Sequence, residues 1–142
     1  MEMNMLVNRS RFSKIGAVGA AAAATLLFAG TASASAAPAV TVTPSTGLTD
    51  GQSVAVAGTG YTAGTNVGVS QCVQDTICAN DTVHTPAAAD GTFSASYTVK
   101  KTFQATDWST GQVVTVDCAV SQCQVVAWEE VGGPVAVPIS FQ

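Results

Sequence analysis

Phe93-Ser94-Ala95-Ser96-Tyr97-Thr98-Val99-Lys100 sets an apolar side chain at every second position, with small polar or charged residues between them. Successive side chains of a strand point to opposite faces, so this period of two describes a half-buried antiparallel strand. The pattern recurs upstream. Val40 and Val42 alternate with Thr41 and Thr43, and Val54 and Val56 alternate with Ser53 and Ala55. Val67 to Cys72, Val113 to Cys118, Gln122 to Trp128 and Val135 to Phe141 are further strand candidates. Turn signals fall between them at Pro44-Ser45-Thr46-Gly47, Asp50-Gly51, Ala63-Gly64, Asp90-Gly91 and Gly132-Gly133-Pro134. No window of about ten residues after Ala37 combines helical periodicity with caps. Seven or more short strands, with a turn roughly every 8–12 residues, predict an all-β, immunoglobulin-like antiparallel sandwich. Pro138 cannot donate to a ladder, so the last strand is expected at an edge or a bulge.

The first segment has a different composition. Arg9, Arg11 and Lys14 precede an apolar run from Ile15 to Gly30, and Thr31-Ala32-Ser33-Ala34-Ser35-Ala36 follows. A basic region, an apolar core and an A-x-A site in that order predict a secretory signal peptide over residues 1–36, cleaved after Ala34 or Ala36. A membrane anchor would need a longer apolar span. The expected mature chain, residues 37–142, is one domain, secreted, free of the membrane and monomeric.

That mature chain keeps only Lys100 and Lys101 against eight carboxylates, a formal charge of −6. Binding to nucleic acid through phosphates needs clustered Lys and Arg, so DNA is not expected to be a direct partner. With 47% hydrophobic and 10% charged residues over the whole sequence, disorder is excluded as well.

Four cysteines behind an export signal predict two disulfides. Three connectivities are possible, and the local one, Cys72 with Cys78 and Cys118 with Cys123, is chosen because each pair closes a short loop where two strands meet. Each such loop contributes about 2 kcal/mol by chain entropy. No metal is expected, since neither spacing is C-x2-C and His84 is the sole histidine.

Catalytic signals are thin. Gly68-Val69-Ser70-Gln71-Cys72 lacks the second glycine of a nucleophile elbow. The cysteines are expected to be bridged, and His84 beside Thr85 and Pro86 reads as a surface loop residue. Glu129 and Glu130 are adjacent, so a strand would send them to opposite faces. The chain is therefore read as a binder, not an enzyme.

Specific motifs sharpen this. Ala37-Pro38-Ala39-Val40-Thr41-Val42-Thr43-Pro44-Ser45-Thr46-Gly47-Leu48-Thr49-Asp50-Gly51 resembles the mature start of the neocarzinostatin family of antitumour chromoproteins. Gln71-Cys72, Val99-Lys100-Lys101-Thr102-Phe103, Thr115-Val116-Asp117-Cys118, Cys123-Gln124-Val125 and Ile139-Ser140-Phe141 continue the resemblance in order along the chain. It implies a seven-stranded sandwich with a two-stranded ribbon. It also implies a cleft for a non-covalent enediyne chromophore, an aromatic molecule that damages DNA while the protein shields and delivers it. DNA would then be reached only through the chromophore. The rival reading is a secreted immunoglobulin-like structural or cell-surface module, whose cleft would be filled by its own side chains.

Carried over by the resemblance, the cleft floor is the Cys72–Cys78 bridge. Its walls are Gln71, the ribbon from Phe103 to Trp108, and the strand carrying Gln124, Val126 and Trp128. Strand parity supports the last wall independently, because Gln124, Val126 and Trp128 share one face while Val125 and Ala127 take the other. The sequence departs from the family pattern in a short Cys72–Cys78 loop, in Gln74 where a tryptophan is expected, and in Val126 and Trp128 where small residues open the cleft.

Overall fold

The structure, a computed structural model, describes residues 36–142. The signal-peptide segment therefore lies outside the described residues, except for Ala36. Ten strands and no helix make up this part.

Three strands form the smaller sheet in the order β1 (Ala39–Thr43), β2 (Ser53–Thr59), β6 (Phe93–Thr98). All pairings are antiparallel, with Val42 opposite Val56 and Val54 opposite Tyr97. Of the valines chosen by alternation, Val42, Val54 and Val56 are buried, as are Phe93 and Tyr97, and Val40 is partly buried against them.

The larger sheet is organised by β3 (Asn66–Gln74), its longest strand. On one side β3 pairs with β9 (Gln124–Glu129), which in turn pairs with β10 (Gly133–Pro138) at the edge. On the other side its first half pairs with β5 (Val83–Pro86) and its second half with β4 (Ile77–Ala79). Through β4 the sheet continues into the hairpin of β7 (Thr102–Asp107) and β8 (Val113–Asp117). Strands β10, β9, β3 and β5 together with the smaller sheet give the seven strands of the sandwich, and β7–β8 is the ribbon. Pro138 stands on the edge strand, as its missing N–H requires.

Val67 and Val69 of β3, Val125 and Ala127 of β9, and Val42, Val54, Val56 and Tyr97 of the smaller sheet meet in one core. Phe103, Ala105 and Val116 extend that core beneath the ribbon. The disulfides are Cys72–Cys78 and Cys118–Cys123, the local connectivity.

Three details differ from the expectation. Alternation did not mark β4 or β5, because Ile77–Ala79 and Val83–Pro86 are too short to show a period. His84 consequently lies on a strand instead of a loop, though it is exposed. The last strand stops at Pro138, after which Phe141 crosses to a parallel bridge with Leu48.

Candidate functional site

The outer face of the larger sheet, turned away from the core, carries the candidate site. Residues Gly68, Ser70 and Cys72 of β3 stand opposite Trp128, Val126 and Gln124 of β9. Cys72, Cys78 and Val126 are buried in a small cluster of their own, with Trp128 packed against it. Gly68 is what seats the indole. A Cβ built there would lie 2.6 Å from Trp128 Cζ2 and 2.7 Å from Cε2, so only glycine permits this approach.

The ribbon supplies the facing wall. Trp108 begins the turn between β7 and β8, and its N–H donates to Thr76 O at 2.8 Å, tying the turn to the Cys72–Cys78 loop. Asp107 braces the turn by accepting from Ser109 N at 2.9 Å and from Ser109 Oγ. These hydrogen bonds hold the Asp107 carboxyl below its ordinary range. Trp108 is 65% exposed and so is free to meet another molecule.

Between these walls is a cavity of about 230 Å³, lined by Asp75, Cys78, Trp108, Val126, Trp128 and Pro134. Its lining is mainly apolar, with Asp75 at the mouth accepting from Gln124 Nε2 at 3.1 Å. An apolar cleft with a few polar groups is the usual form of a small-molecule site. Among the described residues, no three His, Cys, Asp or Glu side chains gather as a metal site requires.

The sequence profile of the neocarzinostatin family matches residues 40–141. The chain belongs to the neocarzinostatin family. It is 38% identical to macromomycin of Streptomyces macromomyceticus over 96% of this chain and 99% of that one. It is 36% identical to the antitumor antibiotic C-1027 apoprotein of Streptomyces globisporus over 82% and 84% of the two chains. The solved structure of macromomycin superposes with a TM-score of 0.68, covering 75% of this chain and all of that one.

Within this neocarzinostatin-family fold, the residues expected at the cleft separate into two groups. Cys78, Trp108, Val126 and Trp128 line the cavity, Cys72 lies beneath it, and Gln124 stands at its rim. Gln71 and Phe103 do not border this cavity, because both point into the core. Gln71 has the parity of Val67 and Val69, and its amide spans the Lys100 backbone. Its Nε2 donates to Lys100 O at 2.7 Å and its Oε1 accepts from Lys100 N at 2.9 Å. Phe103 packs with Ala105 and Val116 on the inner side of the ribbon.

Asp75 and Pro134 were not singled out in advance. Asp75 was visible only as a member of the short disulfide loop. Pro134 was visible only as part of a turn signal, whereas the register places it opposite Trp128.

At the far end of β9, Glu129 is buried and fixes the loop between β2 and β3. Its carboxylate accepts from Thr65 Oγ1 at 2.6 Å and from Thr62 N at 3.1 Å. The hydrogen bond from Thr65 is the main reason its pKa lies below the ordinary value. Glu130 is exposed in the turn that follows β9, so the two neighbours diverge, though only Glu129 belongs to the strand.

Proposed function

We propose that this protein is a secreted apoprotein that binds an enediyne-type chromophore non-covalently, protects it and delivers it, with DNA damaged by the chromophore alone. The observation that carries the reading is the apolar cavity between Trp108 and the Cys72–Cys78 bridge, open on the outer face of a neocarzinostatin-family sheet. A flat aromatic group entering it would stack on indole and exchange contact with water for contact with apolar surface, gaining roughly 0.5–1.5 kcal/mol beyond area burial. The charge of −6 suits this division of labour, since the polypeptide is repelled by phosphates and leaves DNA to the small molecule.

At about 230 Å³ the cavity is below the roughly 300–1,000 Å³ of sites that enclose drug-sized ligands. It would therefore receive the aromatic part of a chromophore and leave the remainder under Trp108 or in solvent.

Native mass spectrometry of the protein purified from its own culture medium tests the proposal. A bound mass that organic solvent removes, and that cleaves DNA once released, is the expected result. Protein that carries no such mass, and that gives no tryptophan fluorescence change with millimolar naphthoate, would instead support the structural or cell-surface module.

A further inference from the structure

The sheet register places Pro134 of β10, Trp128 of β9, Gly68 of β3 and His84 of β5 in one row across the outer face. On the far side of the indole lies a second cavity, about 400 Å³, bordered by Asn66, Gly68, His84, Trp128 and Glu130 among others. Trp128 is the one residue that borders both. The two cavities differ in chemistry. The first is walled by indoles, a disulfide, valine and proline. The second offers an amide, an imidazole and an exposed carboxylate, with Asn66 Nδ2 3.3 Å from His84 Nδ1.

We propose that Trp128 is a partition that sets the length and polarity of the ligand this protein accepts. Seated on Gly68, the indole confines an aromatic ring to the apolar cavity and keeps any polar arm of that ligand out of the second one. Without it the two cavities become a single trough along β9, in which an aromatic ligand bearing a cationic arm reaches Glu130 and Asn66. The side chain thus determines specificity by exclusion, the usual means of rejecting a larger ligand. This inference rests on the carrier reading, because it presumes that the first cavity takes an aromatic group.

Calorimetric titration at physiological salt, where long-range attraction to the acidic protein is screened, separates the two claims. The probes are naphthol and the same ring carrying an aminopentyl ether arm. The wild-type protein is expected to bind the two within about twofold of each other. Trp128→Ala is expected to prefer the armed ligand by about tenfold, the worth of one charge-assisted hydrogen bond. Glu130→Gln in that background should remove the preference. Trp128→Phe, which keeps an aromatic ring and with it the fold, should show a smaller preference in the same direction. An armed ligand favoured equally by the wild-type protein and the variants, or by none of them, overturns the partition while leaving the carrier reading intact. If neither probe binds the wild-type protein, the carrier reading fails and the partition falls with it.

Discussion

Replacing Gln71 by leucine separates a structural role from a ligand-binding one. Gln71 is buried, and its amide supplies both hydrogen bonds of the Lys100 backbone at 2.7 and 2.9 Å, linking β3 to the connection between β6 and β7. Leucine conserves the volume but leaves that N–H and C=O without their partner. Each buried polar group so stranded costs about 1–3 kcal/mol. Lys100 is only half-buried, so water recovers part of the loss, and leucine no longer requires a desolvated amide. The expected net destabilisation is about 2 kcal/mol, or roughly 9 °C in Tm for a domain of this size. Urea unfolding followed by circular dichroism should show a lower midpoint with an unchanged slope. Affinity for a naphthyl ligand, measured below the transition, should stay within about twofold. Unchanged stability with lost affinity would refute the placement of Gln71 in the core.

Trp108→Ala should weaken binding of a naphthyl ligand about tenfold while moving stability by less than about 0.5 kcal/mol, since the indole is exposed and touches little of the core; a large drop in Tm would contradict this. Hydrogen bonds from Thr65 and Thr62 lower the Glu129 pKa in the folded state, so the unfolded chain takes up that proton first on acidification. The associated stability is complete above the ordinary glutamate value of about 4.3 and is lost as pH falls through the folded pKa. Glu129→Gln should therefore flatten Tm against pH between about 3 and 5, and an unaltered profile would exclude Glu129 as a contributor. Tyr61→Phe should be neutral or stabilising by up to about 1 kcal/mol. Its buried hydroxyl has no partner among the described residues, and burial, then the Glu129 charge, pushes the phenol up to about 12. A clear loss of stability in urea would show that this hydroxyl is satisfied. Ligand-free protein should bind duplex DNA weakly at physiological salt, and tight binding with a steep salt slope would contradict the charge argument.

The fold was legible because it rests on a local regularity. A period of two in Val40 to Val42, Val54 to Val56 and Phe93 to Val99 fixes which side chains face the core, and all of them are buried in it except Val40 and Ala95, which pack against it partly buried. The short strands β4 and β5 left no such trace, since three or four residues cannot establish a period. Only pairing with neighbours makes them strands, β5 with β3 and β4 with both β3 and β7. The disulfides were legible for the same reason as the long strands, because each pair is near in sequence.

The cleft was legible only where one strand carries it. Parity within β9 correctly separated Gln124, Val126 and Trp128 from Val125 and Ala127, because a single strand fixes its own two faces. The same rule, applied to β3, sends Gln71 inward with Val67 and Val69 and leaves Gly68, Ser70 and Cys72 outward, so Gln71 and Cys72 cannot both face the cleft. What no single strand reveals is register. That Trp128 meets Gly68, with Pro134 on one side and His84 on the other, depends on three ladders at once. A one-residue slip in the β3–β9 ladder would put Val67 or Val69 in place of Gly68 opposite the indole, and a slip in either of the other two would exchange its neighbours Pro134 or His84. The bulk of Trp128 is matched by a glycine on the neighbouring strand, so the indole can lie close against β3.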